Sequence, residues 1–222
     1  MIRTILVVTC SALVAWAESG HKRLEESAEV LREVMRISDR AIPQDLLDKA
    51  HCIVIVPGLK KGAFVVGAKY GRGFVSCRRA GAGWSAPGGV RVEGGSFGFQ
   101  IGGSETDVIM LVLNRRGMEK LLSSKFTIGA EGEVAAGPVG RHTSAQTDAL
   151  MRAEILTWSR SRGVFAGISL QGATLRQDLD SNKEIYGREI PNRDIVAGSV
   201  PAPRAAGALV SLLNKYSSRR SG

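Results

Sequence analysis

The density of glycine in the middle of the chain constrains the fold more than any other feature. About half of the 27 glycines lie between residues 58 and 103, inside apolar segments that otherwise have the pattern of β-strands. Glycine within a strand marks a bulge, a sharp bend or a close approach of two backbones. The sequence therefore predicts a strongly curved sheet rather than a flat one.

Helices are predicted on either side of this sheet. Apolar residues recur at helical spacing over residues 22–37, and Pro43 suits the first turn of a second helix that ends near residue 50. Two more helices are predicted over residues 114–123 and 177–186. Strands are predicted over residues 52–56, 63–70, 74–78, 95–101, 108–113, 126–136, 153–158 and 164–175. The predicted fold class is α+β, with a curved, mainly antiparallel, glycine-rich sheet and flanking helices.

The net charge limits the class of partner without identifying it. Thirty Lys and Arg residues against 21 Asp and Glu residues give a formal charge of +9. A field of this sign favours phospholipid headgroups, nucleic acid or acidic polymers. A basic surface that only keeps the protein soluble agrees with the composition equally well.

The first 17 residues have the three parts of a signal peptide. Arg3 gives a positive start, residues 5–15 form an apolar run, and Ala15-Trp16-Ala17 has the small-x-small pattern of a cleavage site. The run is too short to span a bilayer, and Cys10 lies within it with too few apolar residues ahead for a lipoprotein. We expect cleavage after Ala17 and an extracytoplasmic protein, either periplasmic or secreted.

Cleavage at that position would leave Cys52 and Cys77 as the remaining cysteines. In an oxidising compartment they can pair as a disulfide. Two cysteines in a domain of this size are equally typical of small buried apolar residues. The sequence leaves both interpretations open.

Two short motifs resemble catalytic ones, but their contexts do not fit. Ser96 lies in a G-x-S-x-G pattern, which in a hydrolase places the serine at a strand-to-helix turn, with His142 as base and Asp107 as its partner. Here a glycine-rich strand pattern follows instead. Residues 81–86 spell a loose dinucleotide-binding pattern, but Pro-Gly-Gly follows where a helix must begin, so a hairpin turn is predicted. The histidines are scattered and the cysteines lack metal-binding spacing, so neither a metal nor a cofactor is expected.

Basic residues near predicted turns are the candidate ligand-binding groups. Lysine and arginine side chains at loop ends can hold phosphate through charge-assisted hydrogen bonds. Those selected are Lys60, Lys61, Arg72, Arg141, Arg160 and Arg162. The amphipathic helix over residues 22–37 is a second candidate, with Lys22, Arg23, Leu24 and Leu31 at a membrane surface. Its alternative is a helix that packs its apolar stripe on the core.

Longer stretches of the chain resemble the SYLF-domain family. They include Gly83-Trp84-Ser85-Ala86-Pro87, Gly98-Phe99-Gln100-Ile101-Gly102, residues 135–141 and residues 159–172. The resemblance covers residues 25–190. It implies a non-enzymatic domain that binds phosphoinositides and other anionic phospholipids and, in yeast relatives, actin filaments.

The interpretation of the whole chain follows from this resemblance and from the signal peptide. We expect a signal peptide over residues 1–17, a lipid-binding domain over residues 18–190 and a flexible basic tail over residues 191–222 that contains Pro, Gly and Ser. The expected partner is anionic phospholipid in a bacterial cell envelope, without nucleic acid. The alternatives are an envelope scaffold that binds protein, as the actin-binding relatives do, and a serine hydrolase that uses Ser96.

Overall fold

The structure is a computed structural model that describes residues 20–36, 42–63, 66–79, 81, 83–97, 102–131, 133–138, 152–161, 164–167, 170 and 172–217. The predicted signal peptide lies outside the described residues. The first helix, α1, covers residues 20–36. The other α-helices of six or more residues within the described ranges are α2 (Gln44–Lys49), α3 (Arg115–Leu121), α4 (Leu179–Tyr186) and α5 (Gly207–Tyr216).

Nine strands form one curled sheet, which confirms the predicted α+β class. The strands are β1 (Cys52–Ala63), β2 (Val66–Cys77), β3 (Gly88–Phe97), β4 (Gly102–Val112), β5 (Lys125–Thr127), β6 (Val134–Ala136), β7 (Ile155–Ser161), β8 (Val164–Gly167) and β9 (Thr174–Gln177). Their order is β5-β9-β3-β2-β1-β4-β7-β6, and β8 pairs with β7. The β6–β7 pair is parallel, whereas the other pairings are antiparallel.

Alternation along the central strands gives the sheet two apolar faces. The outer face, with Ile53, Ile55 and Phe74, packs against α1, α2 and α5. The inner face, with Val54, Val56 and Val75, packs against α3 and the short strand β5. Burial on both faces accounts for the continuous apolar runs in these strands.

The long strands were predicted as shorter pieces. The sequence predicted a strand that ends at Val56, but β1 continues through Pro57 and Gly58 to Ala63. The register shifts at this point, and Gly58 has a φ of 57°. A bulge of this kind admits a proline, which cannot donate a ladder hydrogen bond, and it places both Val56 and Leu59 on the inner face.

The prediction of a flexible tail after residue 190 is wrong for residues 192–217. A turn of helix at Asn192–Asp194, a π-helical turn at Ile195–Ser199 and helix α5 follow one another, and Leu209 and Leu213 are buried in the outer core. Arg78 fixes the end of α5. Its guanidinium donates to the carbonyls of Ala50, Leu47 and Ser217, at the C-terminal ends of α2 and α5. Helix ends need such donors, so this segment is part of the domain.

The two remaining cysteines are paired. Cys52 on β1 lies directly opposite Cys77 on β2, and a disulfide joins them on the buried inner face. The pairing selects one of the two interpretations that the sequence left open.

Candidate functional site

Arg72 was predicted to bind lipid, but in the structure it is committed to an ion pair. Its Nε and Nη2 lie 2.5 and 2.9 Å from the two carboxylate oxygens of Asp178, whose side chain is 0% exposed. Asp178 also accepts hydrogen bonds from the backbone N–H and hydroxyl of Ser181, so it caps helix α4. Burial raises the pKa of the Asp178 carboxyl. The hydrogen bonds from Arg72 and Ser181 together lower it by more than burial raises it, so the pKa lies below its usual value. Arg72 is therefore a structural residue.

Arg160 is committed in the same way. Its guanidinium lies 2.6 Å from Asp107 on β4 and also pairs with Glu33 on α1. Two carboxylates around one guanidinium leave no net positive charge there, so Arg160 joins β7 to its neighbours instead of facing a ligand. Arg141 and Arg162 lie outside the described residues.

Helix α1 is a core helix, which contradicts its assignment as a membrane helix. Leu24 and Leu31 are both 0% exposed and belong to the outer apolar cluster. Arg23 is half-buried and donates to the hydroxyl of Ser181. Lys22 is exposed and pairs with Glu26 one turn away. An apolar stripe that is already covered by the sheet cannot also insert into a bilayer.

The two remaining candidates, Lys60 and Lys61, lie together near the end of β1, at the side of the sheet where β1 connects to β2. Because residues that face each other across an antiparallel ladder share one face, each lysine belongs to a row that crosses four strands. The outer row is Glu93, Tyr70, Lys60 and Glu105. The inner row is Gly94, Lys69, Lys61 and Ser104.

The outer row holds two carboxylates and one lysine. Lys60 has Glu105 opposite it on β4, and Glu93 lies beyond Tyr70. Tyr70 is 50% exposed and is the only large apolar side chain among the described residues that is exposed. An exposed phenol ring beside a lysine combines an apolar body with polar tips.

The inner row has no negative charge. Lys61 and Lys69 face each other directly, and neither has a carboxylate partner within the described part of the chain. Burial, and after it the charge of Lys69, lower the pKa of the Lys61 ammonium. We call Lys60, Lys61, Lys69 and Tyr70 the cationic strand end.

Lys69 and Tyr70 were missed at the level of the sequence. The predicted strand over residues 63–70 ran through the connection between β1 and β2, so these residues were not placed opposite the lysine pair. The missed signal was the spacing, because the pairs Lys60-Lys61 and Lys69-Tyr70 are placed symmetrically about position 65 of the sequence.

The hydrolase alternative lacks the geometry that it requires. Ser96 lies within β3 opposite Gly67, and the next described element is again a strand, β4. Asp107, the proposed partner of the base, is bound by Arg160 and by the backbone N–H of Gly58. His142 lies outside the described residues. The loose dinucleotide pattern is a turn, in which Arg79 donates to the carbonyl of Gly83 and β3 follows.

Within the described ranges, no three His, Cys, Asp or Glu side chains are grouped so as to hold a metal ion. Of the helices in those ranges, none alone has the length and apolar character needed to cross a bilayer. The bent pair Asn192–Ser199 and Arg204–Tyr216, at 75°, passes that test only when taken together.

A family model described as "Ysc84: Las17-binding protein actin regulator" matches residues 93–216, more than half of the chain. The chain belongs to the Ysc84 family. This agrees with the SYLF resemblance, and the match ends at the last residue of α5, so the C-terminal helices belong to the family domain.

Eukaryotic relatives extend the similarity to the N-terminal half. The chain is 32% identical over 201 residues to "SH3 domain-containing YSC84-like protein 1" of Rattus norvegicus, which covers 88% of this chain and 59% of the relative. The human protein of that name is 31% identical, with coverages of 88% and 58%. "Protein YSC84" of Saccharomyces cerevisiae is 28% identical over 197 residues, with coverages of 85% and 42%. The chain thus spans about three fifths or less of the length of these relatives.

Proposed function

We propose that this protein binds membranes that contain anionic phospholipid and that it catalyses no reaction. The observation that carries the proposal is the cationic strand end, where three lysines and an exposed tyrosine lie on adjacent strands. Arg72 and Arg160 are neutralised by carboxylates, whereas Lys61 and Lys69 are not.

The chemistry of these side chains suits a lipid headgroup region. Lysine extends a long apolar stem with a terminal charge, and tyrosine places its ring at the boundary between apolar and aqueous phases. Each lysine near an anionic surface contributes ~1 kcal/mol to binding at low salt. Lys61 and Lys69, which have no carboxylate opposite them, therefore support an association of about 2 kcal/mol from charge alone, to which Tyr70 adds its ring.

Vesicle co-sedimentation tests the proposal. The mature protein is mixed with vesicles of neutral phosphatidylcholine and with vesicles in which phosphatidylglycerol or phosphatidic acid replaces part of it. We expect binding to rise with the anionic fraction and to fall with salt, because a Debye length of about 8 Å at physiological salt screens surface charge. Equal binding to neutral and anionic vesicles would contradict the proposal.

We also propose that the protein acts outside the cytoplasm, after cleavage following Ala17. The sequence of residues 1–17 supports this, and so does the Cys52–Cys77 disulfide, because such bonds persist in oxidising compartments. Mass spectrometry of the exported protein should give an N-terminus at Glu18. Retention of residues 1–17, or a lipid on Cys10, would contradict the assignment.

A second candidate function is the binding of a protein partner. The family description supports it, and so does a cleft of about 440 Å³ between the β2–β3 turn and α5. Trp84, Val200, Pro201 and Val210 line this cleft, with Arg79 as its charged side chain. Co-sedimentation with actin filaments tests the candidate. If it holds, Val210→Asp in the cleft abolishes filament binding and leaves vesicle binding unchanged.

A further inference from the structure

The two cationic rows at the strand end are not equivalent, although Lys60 and Lys61 are neighbours in the sequence. Lys61 lies two residues from Leu59, which is buried in the inner cluster, so its side chain leaves the sheet on the inner face. Lys69 lies two residues from Gly71, where an added Cβ would contact Leu59 and Val56, so it leaves on the same face. Lys60 leaves on the opposite face.

A directly opposed pair of lysines is unfavourable in a sheet unless something neutralises it. Burial and the charge of Lys69 both lower the pKa of Lys61, which shows that the two ammonium groups repel each other in the folded protein. The flanking residues in the same row do not relieve this, because Gly94 has no side chain and Ser104 has no charge. Unfavourable charge without a structural partner is typical of a ligand site.

The flanking residues leave space beside the pair on one side: a Cβ at Gly94 would meet Ala173 at 3.1 Å, whereas Ser104 is exposed to solvent. Gly94 lies next to Lys69 on β3, and Ser104 lies next to Lys61 on β4 with its residue exposed to solvent. A ligand that reaches the two ammonium groups from the side of Ser104 would meet a hydroxyl donor, and no residue of this row adds a carboxylate. A phosphate monoester carries a charge of about −1.5 to −2 at neutral pH, which matches two lysines.

We propose that Lys61 and Lys69 together form a phosphate-binding site on the inner face of the sheet, which holds a phosphate monoester. This rests on the proposed function, since it assigns the lipid contact to one pair of residues. Lys60 faces Glu105 across the outer row. It is attracted to the anionic membrane surface but does not contact the bound phosphate.

Three matched variants test the site: Lys61→Gln, Lys69→Gln and the control Lys60→Gln. Each variant removes one positive charge near the end of the same hairpin. If the attraction were diffuse, all three would lose the same vesicle affinity, about fivefold at most. The phosphate site predicts a loss of about tenfold or more for Lys61→Gln and for Lys69→Gln in binding to phosphatidic acid vesicles. The site also predicts the affinity of the double variant Lys61→Gln with Lys69→Gln. Its fold-loss of affinity should be smaller than the product of the two single fold-losses, because both lysines hold the same phosphate.

A soluble probe separates the site from membrane binding. Glycerol 3-phosphate is titrated into protein that carries ¹³Cε-labelled lysine, and the lysine signals are followed by NMR. We expect the signals of Lys61 and Lys69 to shift with saturation while that of Lys60 stays, and phosphatidylglycerol vesicles, which offer a diester, to bind more weakly than phosphatidic acid vesicles.

The outcomes distinguish the two proposals. Equal vesicle losses for the three variants, with no saturating shift from glycerol 3-phosphate, would overturn the site and leave anionic lipid binding standing. Saturating shifts at Lys61 and Lys69 without vesicle binding would support a site for a soluble phosphate monoester and overturn the membrane function. Shifts at all three lysines would mean unspecific ion association and would overturn the site.

Discussion

Removal of the Asp178 carboxylate tests the assignment of Arg72 to the structure instead of to a ligand. Asp178 accepts hydrogen bonds from two guanidinium nitrogens of Arg72 and from the backbone and hydroxyl of Ser181. The side chain of Arg72 is only 21% exposed, so in Asp178→Ala the guanidinium remains partly buried without its partner.

The expected loss has two parts. Breaking a buried ion pair by removing one partner costs 3–5 kcal/mol in general, and the partial exposure of Arg72 places this one near ~3 kcal/mol. Loss of the cap of α4 adds ~1 kcal/mol. We therefore expect Asp178→Ala to reduce the free energy of unfolding by about 4 kcal/mol and the Tm by about 10 °C.

The pH dependence gives an independent check. Because the folded pKa of Asp178 lies below its unfolded value, its contribution to stability is fully present above about pH 4 and is lost as the pH falls through the folded pKa. The difference in unfolding free energy between the parent and Asp178→Asn should therefore shrink below about pH 4.

Urea and thermal unfolding measure these differences. The control is Glu119→Ala, which removes an exposed carboxylate paired with Arg115 and should change stability by less than ~0.5 kcal/mol. If Asp178→Ala changed the free energy of unfolding by less than 1 kcal/mol, the ion pair between Arg72 and Asp178 would not be the stabilising contact described above. A large loss of vesicle affinity in folded Arg72→Ala would also contradict the structural assignment, since that would make Arg72 a ligand group.

Three further predictions follow from the described packing and from the sequence. Leu31→Ala should lower the free energy of unfolding by about 2–5 kcal/mol, because Leu31 is fully buried. The vesicle affinity of the folded variant should stay unchanged. A loss of vesicle affinity at unchanged stability would instead indicate that α1 is a membrane helix. Denatured, unreduced mature protein should show no free thiol by a colorimetric thiol assay, and reduction should release Cys52 and Cys77. Ser96→Ala should leave vesicle binding unchanged, and esterase activity in the parent that disappears in this variant would contradict a non-enzymatic protein.

The sequence predicted the elements more reliably than their lengths. A helix was predicted to begin at residue 114, and α3 begins one residue later: the Oδ1 of Asn114 accepts the N–H of Gly117 at 2.7 Å and caps it. The β1 strand was cut short at Val56, because Pro57-Gly58 ends most strands. A bulge lets the chain continue. Glycine indicates that a bulge is possible at Gly58, but the continuation of the strand beyond it depends on pairing with β4, which the local sequence does not show.

The candidate site was predictable only in part. The lysine pair Lys60-Lys61 is visible in the sequence, but whether a cation is free depends on the carboxylates that the fold brings to it. Asp178 reaches Arg72 from 106 residues away, and Asp107 reaches Arg160 from 53 residues away. The flexible tail was predicted from its Pro and Gly content, and the burial of Leu209 and Leu213 overrode that composition.

Tryptophan fluorescence shows which part of the molecule touches the membrane. Tyr70→Trp places an indole at the cationic strand end, and the control Gly81→Trp places one at the turn beyond the other end of β2, where an added Cβ meets nothing within 4 Å. Tyr70 is seven residues from the end of β2 at Cys77, which is about 23 Å along the strand, and Gly81 lies beyond that end. Vesicles of anionic lipid with brominated acyl chains quench an indole that enters the interface, whereas Trp84 and Trp158 are buried and give a constant background. If the cationic strand end contacts the membrane, quenching increases over this background in Tyr70→Trp alone. Vesicle binding with increased quenching in Gly81→Trp, and none in Tyr70→Trp, would contradict this contact.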